Sequence, residues 1–154
     1  LWPKNNKTKN YKMKKILIIN SNYYKSISNS LLNNAKKRLI LSKYSIYKID
    51  VPGVFEIPIT IRKNVKEYHG FIALGCVIKG ETPHFNFICQ STFDAIIKIS
   101  IDFNLPIGNG IITALNMSQA HARSSLNKNS LKSNKGSEAA YAVISVLNNE
   151  PKKT

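Results

Sequence analysis

FIALGCVIKGETPHFNFICQSTFDAIIKISIDFN, residues 71–104, changes its hydrophobic rhythm once, and that change decides the fold. Residues 71–78 form a continuous apolar run. A run this short, next to turn-forming residues, reads as a β-strand buried on both faces. The segment KGETP (79–83) is polar and turn-forming. From His84 onward the apolar residues recur at helical spacing, so that Phe85, Ile88, Cys89, Thr92, Ile96, Ile99 and Phe103 make one stripe of a helix over 84–104. A buried strand, a short loop and a long helix are the parts of a strand–helix–strand unit.

The same alternation extends in both directions. Upstream, KILIIN (15–20) reads as a buried strand and 26–41 as a helix with Ile27, Leu31, Leu32, Ala35, Leu39 and Ile40 facing inward. Residues 44–50 read as a second strand, followed by a Pro52–Gly53 turn. Residues 55–66 fit a helix if Pro58 falls in its first turn, where a missing N–H costs little. Downstream, 106–115 reads as a fourth strand and 117–126 as a helix capped by Asn116 or Ser118. Residues 127–136 read as a loop, and 137–149 as a closing helix with Ala140, Val143, Ile144 and Leu147 inward. Strands alternating with helices predict a parallel sheet with helices on both faces. The expected fold is α/β, a three-layer α/β/α sandwich of flavodoxin-like type with four mainly parallel strands. Residues 1–14 are expected to form a basic N-terminal arm containing Trp2 and Pro3, and 15–150 a single domain.

The chain has 154 residues, a 43% hydrophobic fraction and a formal net charge of +15. The first two values are ordinary for a globular domain. The basic residues are scattered rather than interleaved with aromatics, so neither a nucleic-acid surface nor a membrane-binding one is expected. A positive field still favours an anionic substrate. No apolar run approaches the roughly 18 residues of a membrane span. Cys76 and Cys89 both sit in apolar runs, which predicts free thiols and a reducing, cytoplasmic setting.

In a parallel sheet of this kind, ligands gather beyond the carboxyl ends of the strands. Those ends carry Asn22–Tyr24, Val51–Glu56, Cys76–His84 and, within the fourth strand, Asn109–Gly110. No G-x-G-x-x-G follows the first strand and no G-x-x-x-x-G-K-[ST] occurs, so a dinucleotide or nucleoside triphosphate is not expected. His69, His84 and His121 stand apart and the cysteines form no C-x-x-C pair, so no metal site is expected. His84 opens the long helix after Glu81, Thr82 and Pro83. A helix N-terminus exposes unpaired N–H groups that suit a phosphate, and an imidazole is well suited to moving protons near neutral pH. On spacing alone, a histidine that merely faces solvent and a threonine that merely caps fit as well.

Three blocks narrow that choice. VPGVFEIP (51–58), ALGCVIKGETPHFNFIC (73–89) and NKGSEAA (134–140) closely resemble the signature segments of lumazine synthases, in the same order and the same strand–loop–helix context. The resemblance extends over residues 15–149. It implies condensation of 5-amino-6-(D-ribitylamino)uracil with 3,4-dihydroxy-2-butanone 4-phosphate, without cofactor or metal. It implies His84 as the catalytic proton shuttle. Glu81, Thr82 and Arg123 correspond to residues on the butanone phosphate. Tyr23 corresponds to the aromatic stacked on the uracil. Val54, Phe55, Glu56, Cys76, Val77 and Ile78 correspond to the pocket of the pyrimidine and ribityl chain, and Asn109 to a pocket residue supplied by a neighbouring subunit. It further implies a homopentamer, closed into an icosahedral shell in some members, and riboflavin synthase as a partner.

The chain departs from the family at several points. Tyr24 replaces a side-chain amide and Lys79 a frequent arginine. The stretch between Arg123 and Asn134 is longer than in shell-forming relatives, which favours a free pentamer and blurs the placement of Lys128, Lys132 and Lys135. Two other classes of function compete with the enzyme: a lumazine- or flavin-binding module of the same fold that has lost catalysis, and a basic nucleic-acid binder.

Overall fold

The protein is described by a computed structural model covering residues 12–125 and 134–154. Residues 1–11, with Trp2 and Pro3, and Lys128 and Lys132 lie outside the described residues. The elements run β1 (Lys15–Ser21), α1 (Lys25–Leu41), β2 (Ser45–Val51), α2 (Ile57–Asn64), β3 (Gly70–Ile78), α3 (His84–Phe103), β4 (Ile107–Ala114), α4 (Met117–Ser124) and α5 (Lys135–Asn148). The four strands form one sheet in the order β2-β1-β3-β4, and all three pairings are parallel. The three-layer α/β/α sandwich of flavodoxin-like type expected from the alternation is therefore present.

Side chains alternate across the strands, so the sheet feeds two separate cores. Ile16, Ile18, Ile72, Leu74 and Ile112 pack with Ile27, Leu31, Ala35 and Leu39 of α1 and Ala139, Ala140 and Val143 of α5. Leu17, Ile19, Phe71, Ala73 and Ile111 pack on the other face with Val54, Ile57, Ile61 and Ile96. β1 and β3 are central and buried nearly throughout, as continuous apolar runs should be.

Helix α5 approaches α1 closely at Gly136, where an added Cβ would meet the Leu31 carbonyl oxygen at 2.1 Å. Only glycine permits that contact.

Several boundaries and stripes differ from the sequence reading. Val54–Glu56 form a separate 3-10 turn, and α2 begins only at Ile57, with Pro58 in its first turn. α5 begins at Lys135, within the stretch read as a loop, because the Asn134 side chain caps it by accepting from Gly136 N and Ser137 N. Asn116, not Ser118, caps α4. Ile40 is 61% exposed: neighbours on a helix diverge by about 100°, and Leu39 takes the core position. Phe103 is also exposed, and its ring lies under the Arg62 guanidinium at 4.4 Å. Cys89 is half-buried rather than buried. Among the described residues, no helix is long and apolar enough to cross a membrane.

Candidate active site

All four strands point the same way, so the connections leaving their carboxyl ends converge. β1 ends at Ser21, and Asn22 N donates to the Val51 carbonyl at 3.2 Å, tying the first two strand ends together. The 3-10 turn Val54–Glu56 then folds over the end of β3. It fits closely because position 75 is glycine: a Cβ there would stand 2.7 Å from Val54 Cγ1 and 3.1 Å from Ser21 Cβ. Beyond β3, Lys79 N donates to the Ala114 carbonyl at 2.9 Å, which fixes the start of the loop leading to His84.

These segments enclose a cavity of about 310 Å³, lined by Ser21, Tyr23, Tyr24, Gly53, Val54, Phe55, Cys76, Val77, Ile78, His84 and Ile88. Its size is at the small end for an organic ligand. One wall is aromatic: Tyr23 and Tyr24 meet edge to face with ring centroids 4.9 Å apart. His84 and Ile88, from the first turns of α3, also line the cavity. The loop hydroxyl of Thr82 accepts from His84 N at 3.5 Å, a long contact at the helix entrance.

Burial pushes the Cys76 thiol up to about 11. At neutral pH it is therefore protonated, and it serves as apolar wall rather than as a nucleophile. Burial, then the adjacent Tyr23 and Cys76, also raise Tyr24 above the ordinary phenol value.

Seven of the residues singled out from the sequence share this cavity: Tyr23, Val54, Phe55, Cys76, Val77, Ile78 and His84. Glu56 does not line it. It opens instead onto the adjoining groove of about 390 Å³ between the 3-10 turn, α2 and α3. Glu81 and Thr82 are exposed on the loop outside. Arg123 is exposed in the last turn of α4 and is not part of the wall. Asn109 lies on the edge strand β4, where its side chain accepts from Ile111 N. Tyr24 and Gly53, which fell within the strand-end segments without a role of their own, and Ser21 and Ile88, which fell outside them, also join the wall. For Tyr24, adjacency to Tyr23 was the available signal. Ser21 is buried, and its hydroxyl has no partner among the described residues; nothing in its spacing marks it.

Residues 13–150 match the 6,7-dimethyl-8-ribityllumazine synthase family. The 6,7-dimethyl-8-ribityllumazine synthase of Bartonella tribocorum is 37% identical over 135 residues, covering 86% of this chain and 87% of that protein. The enzyme of the same name from Bartonella henselae is 38% identical over 136 residues, covering 86% and 85%. That from Vesicomyosocius okutanii is 38% identical over 146 residues, covering 87% and 84%.

Proposed function

The chain belongs to the 6,7-dimethyl-8-ribityllumazine synthase family, and from that premise we propose that the cavity at the strand ends condenses 5-amino-6-(D-ribitylamino)uracil with 3,4-dihydroxy-2-butanone 4-phosphate. The products are 6,7-dimethyl-8-ribityllumazine, phosphate and water, the penultimate step of riboflavin biosynthesis. One observation carries the reading: an aromatic platform, a strand end and a helix-start histidine, from separate parts of the chain, line one cavity.

In this reading Tyr23 stacks on the uracil. Val54, Phe55 and Glu56 hold the pyrimidine and its ribityl chain, and the backbone of Cys76, Val77 and Ile78 meets the ring edge. The phosphate lies near the start of α3, where Glu81 and Thr82 shape its loop and Arg123 meets its oxygens with a planar fork of donors. The uracil's exocyclic amine attacks the ketone and His84 passes protons as the imine forms. Loss of the adjacent C–H proton then expels phosphate and leaves an enol, which tautomerises to a ketone. The ribitylamino nitrogen adds to that carbonyl, and the second ring closes as water leaves. Holding two substrates in register supplies much of the rate.

Glu56, Asn109 and Arg123 stand outside the cavity wall of one protomer, which supports a site shared between subunits. A homopentamer supplies Asn109 from the neighbour's edge strand. The lengthened stretch after Arg123 favours the free pentamer over an icosahedral shell, and riboflavin synthase takes up the product. The two free cysteines suit a reducing, cytoplasmic setting.

The test is to supply both substrates and follow the fluorescent product. Replacing a proton-transfer group costs about 10²–10⁴-fold in rate, so His84→Ala is expected to fall in that range. Arg123→Ala is expected chiefly to raise KM for the sugar phosphate. Wild-type rates in both variants would overturn these roles. A native protein that binds the pyrimidine but makes no product under saturating conditions would be a binding module instead.

A further inference from the structure

We propose that Tyr24 is a positioning residue that fixes the plane of the Tyr23 ring before the pyrimidine arrives. The inference rests on the reading of Tyr23 as the stacking platform.

Tyr23 is 73% exposed and follows the end of β1 in a bend, so its own surroundings do little to hold its ring. Tyr24 is anchored. It is half-buried and packs against the core cluster that contains Cys76 and the inner face of α1. Its backbone is extended (φ −103°, ψ 91°) at the N-cap of α1, and its carbonyl accepts from Ser28 N at 2.9 Å. The two rings meet at an interplanar angle of 74° with centroids 4.9 Å apart, the edge-to-face geometry that aromatic pairs prefer. The contact therefore ties a loose ring to a fixed one. A platform held in place before binding loses less rotational freedom when the substrate stacks on it.

The experiment is steady-state kinetics on the intact assembly with Tyr24→Leu, Tyr24→Phe, Tyr23→Ala and the Tyr23→Ala/Tyr24→Leu double variant. Leucine preserves the apolar filling while removing the ring. The energy of an aromatic pair corresponds to about two- to tenfold in binding. Tyr24→Leu is expected to raise KM for the pyrimidine by that factor, with kcat and the KM for the sugar phosphate within about twofold of wild type. Tyr24→Phe is expected to recover most of the loss. In the Tyr23→Ala background, Tyr24→Leu should add nothing, because its effect passes through the missing ring.

An unchanged pyrimidine KM in Tyr24→Leu overturns the proposal. So does additive loss in the double variant. A Tyr24→Phe defect as large as that of leucine also overturns it, pointing instead to a direct contact from the phenol oxygen. If Tyr23→Ala itself has no effect on the pyrimidine KM, the stacking reading falls, separately from anything Tyr24 does.

Discussion

On one face of the sheet, α1 buries six residues in 17 and α5 five in 14. On the other, α3 runs for 20 residues and buries two, Thr92 and Ile96. Both faces of the sheet are covered within the protomer, yet α3 commits far less of its length to that cover than α1 or α5. The α2–α3 side leaves Phe55, Ile59, Phe87, Ile97 and Ile101 each more than half exposed, whereas on the α1–α5 side the residues exposed to that degree are Ile40 and Leu41 at the end of α1 and Tyr141 and Val146 on α5. Scattered exposed apolar residues are ordinary, whereas several on one side mark a surface that meets another molecule. A groove of about 410 Å³, lined by Ile101, Leu105, Ile107 and Val146 among others, continues that apolar surface toward the edge of the sheet beside β4. The contrast separates helices whose apolar residues are largely taken up by the chain's own core, on the α1–α5 side, from a long helix that keeps most of its residues outside it, on the α2–α3 side. In the pentamer proposed above, a neighbouring protomer would cover the outer surface of α2 and α3.

The sharpest way to break this comparison is to place charge on α3. Ile97 and Ile101 are one helical turn apart and lie on the same side. Burying an isoleucine is worth about 1.5–3 kcal/mol, so Ile97→Asp/Ile101→Asp is expected to weaken each subunit contact by about 3–6 kcal/mol. Native mass measurement should show protomers with unchanged helical circular dichroism; an intact assembly would show that this face is not covered by a copy of the chain.

On the α1–α5 side, Gly136→Ala drives a Cβ into the Leu31 carbonyl. Overpacking of that kind costs about 1–3 kcal/mol. Because the obstacle is backbone, the upper end is expected, together with a melting midpoint lowered by about 6–12 °C. A midpoint within 2 °C (about 0.5–1 kcal/mol) of wild type would mean that α1 and α5 are free to separate. The smallest effect is expected at Asn134→Ala, which removes the cap of α5 and should cost about 1 kcal/mol in thermal unfolding. No loss there would show that packing alone holds the helix start.

The strands were legible because the central ones are buried on both sides and must be continuously apolar, as KILIIN and FIALGCVI are. The alternation of elements then left one sheet architecture. Helix faces were harder to read. Periodicity placed Ile40 and Phe103 with the core because it counts apolar residues without knowing where a helix overhangs the sheet, and the same count gave α3 an inward stripe far broader than the protomer buries. The start of α5 was obscured because Asn134, Lys135 and Gly136 are also loop formers, and only the hydrogen bonds to Asn134 Oδ1 distinguish a cap from a turn. His84 was marked by its position at a strand–loop–helix junction. The strand-end segments marked much of the cavity wall around it, but Ser21 and Ile88 are joined by tertiary closure rather than by spacing. Glu56, Asn109 and Arg123 stand outside the wall; the resemblance that singled them out specifies residues, and residue identity alone does not say which surface a side chain faces.

Asn134 does more than begin a helix. Its Nδ2 donates to the Ser124 carbonyl at 2.8 Å, while its Oδ1 holds the first amides of α5. One side chain thereby pins together the points where the chain leaves α4 and enters α5. Whatever number of residues lies between, the two helices keep the same separation, and doubling the length of the bridge adds only about 0.6 kcal/mol of closure entropy. A change in the number of residues there would therefore cost little, because the anchor lies at its two ends and not within it.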